Sequence, residues 1–291
     1  MKKYIKYLTT SIVGIVLLCN VVLVHASAII IDSGAGVIAS ITDAQAIYGF
    51  TYANNVTDAT NDIDIAAGGA IDSTGVYLII GDVSTKQTDA TWALGTNAGC
   101  LDTGAVGNSD YYIFVIARTD TGVVDYLCSL SSTAPDMTLV PDYNRIRLIG
   151  WYKRVAGTIV VFTTYQIEGG GLQFLWNTPT LDVSLTNTLT TARRVDAVKV
   201  PLNFAVTALL RVLIEDAALL NVLIMSPDET DTAVSNTAAP GVNIRSYVAG
   251  TTAIMELSIR TSVTGTIAAR ALANTMDSYG VVTYGFLWAR R

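Results

Sequence analysis

Four basic residues stand close together in YNRIRLIGWYKRVAGTIVVF, residues 143–162: Arg145, Arg147, Lys153 and Arg154. Such a cluster can serve cross-strand ion pairing or a solvated face, contact with another subunit, or phosphate binding and catalysis. Little else in the chain supplies chemistry. The one histidine, His25, lies in the first 28 residues, and beyond it no imidazole remains to act as the base of a Ser-His-Asp or Cys-His site. Two cysteines without histidine do not build the usual zinc centre. No phosphate loop and no dinucleotide fingerprint occurs, and Gly169-Gly170-Gly171 after Glu168 reads as a turn between strands. Carboxylate chemistry survives, because glycoside hydrolysis asks only for two acids at a suitable separation. Twenty aspartates offer many pairs and no way to choose among them. Asp58, Asp62 and Asp64 in TDATNDIDI lack the spacing of a helix-loop-helix calcium site and read as turn-capping residues. Trp92, Trp151, Trp176 and Trp288 would stack on sugar rings if exposed, but aromatic residues of this size are usually core. No catalytic residue, metal ligand or cofactor is expected.

The elements that must carry these residues read as strand after strand. Val76 to Ile80, Tyr111 to Ala117, Val123 to Leu130, Arg145 to Tyr152, Thr158 to Tyr165, Phe204 to Ile214, Ala218 to Met225, Ala253 to Thr261 and Val281 to Trp288 are rich in β-branched and aromatic residues. A helix over Leu209 to Leu220, suggested by Ala and Leu content, is the alternative to two of them, which would otherwise join around Glu215-Asp216. Strand alternation puts Tyr143, Arg145, Arg147 and Ile149 on one face, and turns Ile146 and Leu148 to the core. Ala156-Gly157 then forms the tip of a hairpin, so the basic cluster becomes a feature of that hairpin.

The first 28 residues carry Lys2, Lys3 and Lys6, an apolar run from Ile12 to Val24, and Ala26-Ser27-Ala28. This is a secretory signal pattern, too short to span a bilayer as a helix. Without it the chain keeps 15 Lys and Arg against 24 Asp and Glu, a net charge of about −9. Binding to nucleic acid or an anionic membrane through overall charge is thereby disfavoured. Cys100 and Cys128 either bridge, closing a loop worth roughly 3 kcal/mol, or stay buried as free thiols. A composition break near Val200-Pro201 suggests a segment at 1–28, a β-sandwich domain at 29–200 and a second β-rich lobe at 201–291. Ser226 to Gly241 reads as a long surface loop.

Taken in order, NNVTDATNDIDIAAG from Asn54, the W-x-x-G-x-N-x-G-x-LDTG pattern from Trp92 to Gly104, and RTDTGVVDYLCSLSSTAP from Arg118 form one series. RIRLIG from Arg145, GGLQFLWNTPTLDV from Gly170, RRVDAVKVPLNF from Arg193, RTSVTGTIAAR from Arg260 and the closing GFLWARR continue it. In this series the chain resembles tailed-bacteriophage and prophage virion proteins of the tail-fibre type. The resemblance implies an assembly role with no catalytic residues, and supports a structural hairpin for the basic pair before Ile149-Gly150.

The expectation is therefore an all-β, antiparallel, jelly-roll-like β-sandwich of one large or two packed lobes, exported or in a virion. Its partners would be further copies of itself, in a trimer by analogy with fibres, other virion proteins, or a host-surface glycan. A secreted adhesin or carbohydrate-binding module is the alternative.

Overall fold

The computed structural model describes residues 29–32, 37–41, 46–103, 106–186, 189–216, 221–235, 241–245, 250–273 and 276–290. The signal pattern at 1–28 lies outside them. The chain divides into a unit ending at Ala46 and a compact unit from Ile47 to Arg291. In the first, β1 (Ile29–Asp32) pairs antiparallel with β2 (Val37–Ile41).

The second unit begins with β3 (Ile47–Gly49), β4 (Tyr52–Asn54), β5 (Asp62–Ile65), β6 (Gly68–Ile71), β7 (Leu78–Gly81), β8 (Ser84–Thr91) and β9 (Ala98–Leu101). It continues through β10 (Asp110–Ala117), β11 (Val124–Ser129), β12 (Arg145–Val155), β13 (Thr158–Ile159), β14 (Phe162–Gln166) and β15 (Leu172–Thr186). It closes with β16 (Arg194–Ala197), β17 (Thr207–Glu215), β18 (Asn221–Met225), β19 (Val242–Arg245), β20 (Ala253–Arg260), β21 (Thr266–Ala271) and β22 (Ser278–Trp288). Thirteen strands form one sheet in the order β13-β12-β10-β11-β9-β8-β5-β4-β14-β15-β22-β17-β20. Smaller sheets follow the orders β16-β21-β18-β19 and β3-β6-β7. The protein is thus all-β, with several sheets.

The segment from Leu209 forms part of β17, so the helical alternative fails there. Its β-branched residues Val212 and Ile214 are buried in a ladder with β20 and β22. The expected boundary at Val200-Pro201 does not separate two lobes. β22 is bonded to β15 on one side and β17 on the other, so strands from both sides of that point share one ladder. The connecting chain is itself held, with Val198, Val200 and Val206 buried and the Val198 amide donating to the Gly265 carbonyl.

Two strands escape a hydrophobic pattern for identifiable reasons. β15 contains Pro179, and its register with β22 shifts between Leu175 and Thr180, which accommodates a residue with no amide to donate. β8 reads STKQTDAT, and the residues it turns inward are Ser84, Lys86 and Thr88.

The core is aromatic. Trp151 of β12 lies 5.4 Å from Phe174, 5.7 Å from Trp176 and 5.6 Å from Phe286, measured between ring centroids. Phe174 stacks on Phe162 at 4.5 Å and on Phe286 at 4.7 Å. β12 and β15 are far apart in the strand order, so these contacts require the large sheet to curl over a shared interior. Gly150 permits a close approach, since a Cβ there would lie 2.7 Å from the Tyr52 ring. The Tyr52 hydroxyl accepts from the Trp151 amide at 2.7 Å and donates to the Trp151 carbonyl at 2.9 Å. The tryptophans therefore do not form a sugar platform: Trp151, Trp176 and Trp288 are buried, and Trp92 packs edge-on against Tyr143.

Candidate interaction surface

The hairpin tip forms where sequence places it. Val155 pairs with Thr158 across Ala156 and Gly157, whose φ angles of 51° and 81° are both positive. A two-residue turn with positive φ at both positions matches the twist of its strands. The four basic residues along this hairpin, however, do not form one surface: Arg145 and Arg147 keep one face, while Lys153 and Arg154 face opposite ways. Successive strand residues face opposite ways, and β12 lies between β10 and β13 with much of its length covered on both faces.

Arg154 is turned inward and is not available for contact with another subunit. It is 1% exposed and donates to the Thr88 hydroxyl at 2.6 Å, to Asn61 Oδ1 at 2.9 Å and to the Gly157 carbonyl. Its long side chain thus closes the hairpin turn from inside and ties it to β8. Lys153 faces the other way and pairs with Asp110, its cross-strand partner, at 3.0 Å. Arg145 pairs with Asp72 at 3.3 Å and lies 5.6 Å from the centre of the Tyr77 ring. Burial on its own would raise the Asp72 carboxyl, but the Tyr77 amide, the Thr74 hydroxyl, the Val76 amide and Arg145 hold it below the ordinary carboxylate range. Arg147 lines a cleft of about 240 Å³ with Ser73, Ser132 and Thr133.

The alternation expected around these arginines breaks at Ile149. Ile113 pairs with Gly150 and Phe114 with Leu148, so Ile149 is the extra residue of a bulge; it is buried while Ile146 and Leu148 are half-buried.

The aspartates of the TDATNDIDI segment act locally. Asp58 accepts from the Thr60 hydroxyl and from the Thr60 and Asn61 amides, led by the hydroxyl, and its carboxyl is held low. Asp64 accepts from Asn55 Nδ2 and from the Thr85 hydroxyl. Burial, then repulsion from Asp58, Asp89 and Asp64, pushes Asp62 up. Among the described residues no group of three or more His, Cys, Asp or Glu is placed to hold a metal. Cys100 and Cys128 form a disulfide joining β9 to β11, with their Cα atoms 5.0 Å apart.

An apolar surface lies elsewhere, on the outer face of β15–β22–β17–β20. Pairing aligns Leu181, Val282, Arg211 and Glu256 in one row across the four strands, and Ser184, Gly280, Leu213 and Ile254 in the next. Phe174, Phe286 and Leu210 point to the buried side of the same strands. On the outside, Leu181 is 60% and Ile254 67% exposed, with Leu213 and Val282 half-buried between them. These apolar groups converge on Gly280, where a Cβ would lie 3.7 Å from Leu213 and 3.9 Å from Leu181. Arg211 and Glu256 cross the patch in an ion pair of 2.8 Å, and Arg211 lies 5.1 Å from the centre of the Tyr284 ring. β20 ends the sheet, and its outer edge has no strand partner among the described residues.

This patch can bury apolar area and offer an unpaired strand edge. Sequence reasoning misses it because strand propensity alone does not say which face of Leu209-Leu210-Arg211-Val212-Leu213-Ile214 is covered. A signal is nonetheless present: Leu209 and Leu213 alternate with Leu210, Val212 and Ile214, so the run carries apolar side chains on both faces.

A second missed residue is Arg290. It is buried and donates to the carbonyls of Gly49 at 2.9 Å, Gly170 at 3.0 Å, Phe50 at 3.2 Å and Ile149 at 3.3 Å. Burial pulls its guanidinium down to about 10, against the raising effect of Tyr52 and together with the lowering effect of Arg147.

No model of a known protein family matches the chain, and no curated protein matches it. What its fold and surfaces define is an all-β protein of several sheets with an apolar outer face.

Proposed function

We propose that the chain is a structural subunit of a phage or phage-derived extracellular assembly, working by packing against copies of itself without turnover. In this reading the curled sheet, antiparallel except where β9 runs parallel to β8 and to β11, is a jelly-roll-like β-sandwich, and its outer face is the assembly face. The observation that carries the reading is the apolar patch of Leu181, Leu213 and Ile254 around Gly280. Contiguous apolar surface of this kind on a folded protein marks a contact site. The presence of Arg211 and Glu256 in the same patch favours a second copy as the partner, because a two-fold contact can then match acid to base in both directions. The disulfide supports a location outside the cytoplasm, and the series from Asn54 to Arg291 supports the virion class.

Sedimentation velocity over a range of concentrations, with electron microscopy of the same sample, tests the proposal. The wild-type chain is expected to form closed oligomers or particles, and Leu181→Lys with Ile254→Lys to release the protomer while leaving its unfolding midpoint in place. A wild-type chain that stays monomeric at high concentration sinks the proposal.

A carbohydrate-binding role is the second reading, and it draws on the cleft that Arg147 lines together with Ser73, Ser132 and Thr133. It requires glycan-array binding that Arg147→Ala abolishes.

A further inference from the structure

Lys86 of β8 and Asp125 of β11 meet in the interior across β9, the strand that lies between theirs in the sheet. Their side chains are 0% and 3% exposed. Lys86 Nζ lies 3.1 Å and 3.2 Å from the two carboxylate oxygens. It also donates to the carbonyls of Ala93 at 2.9 Å and Gly95 at 3.0 Å. The Gly95 amide in turn donates to Asp125 Oδ2 at 3.3 Å.

This arrangement suits two charge states of the pair. An ammonium would send one N–H to each carbonyl and one to Asp125. A neutral amine has only two N–H groups and a lone pair, and the two carbonyls can hold both hydrogens, leaving the third tetrahedral direction, with the lone pair, toward the carboxyl. A single proton transfer along the Nζ···Oδ hydrogen bond converts the ion pair into this amine and a carboxylic acid. Burial works in that direction at both ends: it pushes the Lys86 ammonium down and the Asp125 carboxyl up, against their mutual attraction. The burial of both side chains also limits the solvent that would otherwise oppose a condensation.

We propose that Lys86 and Asp125 condense into an amide that covalently joins β8 to β11. Rotation of the carboxyl about Cβ–Cγ presents its face to the amine. Nζ then attacks Cγ, the Nζ–Cγ bond forms, and the bond from Cγ to the hydroxyl breaks. That hydroxyl leaves as water with a proton from Nζ, and no atom changes oxidation state overall. The Gly95 amide is placed to stabilise the oxyanion that develops on Oδ2, and afterwards to bond the amide carbonyl. The product is a neutral group whose remaining N–H still has a backbone carbonyl to meet, so the buried charges disappear. Asp125 lies on the same strand as Cys128, whose disulfide reaches β9. The two links together would tie β8, β9 and β11 by side chains.

Mass spectrometry of the purified full chain tests this directly. The wild-type protein is expected to be lighter by one water, beyond the two hydrogens lost to the disulfide. Digestion should yield a branched peptide joining the Lys86 segment to the Asp125 segment. Lys86→Arg keeps the cation but forms no such amide, and is expected to regain the water and lose the branched peptide. If that variant fails to fold, the wild-type peptide map decides alone. Separate, unmodified Lys86 and Asp125 peptides from the wild type, or a water loss that maps to other residues, would overturn the proposal.

Discussion

The ladder β15–β22–β17–β20 and the segment β8–β9–β11 belong to one sheet, yet they are held together by different means. In the ladder, β17 and β20 stay in register from Thr207 opposite Arg260 to Ile214 opposite Ala253, and β17 and β22 pair along nearly the same length. Backbone bonding there is long and antiparallel, and the inner face is filled by rings. In the segment, β8 runs parallel to β9 with interrupted register, and β9 meets β11 in parallel at the single pair Leu101 and Cys128. Parallel pairing is slightly weaker per residue, and here it is also short. Side chains supply what the backbone does not: the disulfide, Lys86 with Asp125, and the polar residues that β8 turns inward. A sheet can therefore hold one course of strands by long antiparallel pairing and another by ties.

The comparison makes unequal demands on single substitutions. The largest effect is expected for Asp125→Ala, which strands a buried lysine and should cost roughly 3–5 kcal/mol in chemical denaturation. A loss below about 1 kcal/mol would mean that the segment does not depend on its ties. Phe174→Ala in the ladder should cost a similar ~3–5 kcal/mol, but through a cavity. Its signature is partial rescue by Phe174→Leu, whereas Asp125→Asn leaves the lysine charge without a counter-ion and should rescue poorly.

Next in size is the disulfide. Replacing Cys100 and Cys128 together by serine is expected to remove about 3 kcal/mol in the loop-entropy account. Hydrogen exchange should then rise first in β9 and β11 and last in β17 and β22; uniform loosening would argue against two regimes within the sheet.

A smaller, pH-dependent effect is expected at Asp72. Its carboxyl is held below the ordinary range in the folded state. Its contribution is therefore complete above the unfolded carboxylate value of about 3.9 and fades as pH falls through the lower folded value. Asp72→Asn should lower stability at neutral pH and flatten the acid limb of the stability curve, which thermal unfolding between acid and neutral pH would reveal. The smallest effect on folding is expected at the outer face, where Leu181→Lys should change stability by less than about 0.5 kcal/mol while altering the sedimentation profile.

Much of the ladder is legible in the sequence. Val212, Ile214, Val281 and Val282 announce strands through β-branched side chains, and Ala156-Gly157 announces a turn. β8 is not legible, because Ser84, Lys86 and Thr88 are polar and still face the interior, so no alternation of hydropathy marks the strand. Arg154 misleads for a related reason: charge predicts exposure only when nearby acceptors are lacking, and Thr88, Asn61 and Gly157 are brought to it by the fold from distant or turned-back chain. The outer patch needs the cross-strand register, since Leu181, Leu213, Gly280 and Ile254 become neighbours only once four strands are aligned.

The Arg290 clasp also imposes an order of events on biosynthesis. Its bond to the Phe50 carbonyl joins residues 240 positions apart. The carbonyls of Gly49, Phe50 and Ile149 therefore gain this donor only after the chain has been extended as far as Arg290. Contacts of such separation form slowly. Until Arg290 has emerged this clasp stays open, and partly assembled strands of that kind are what chaperones and proteases engage.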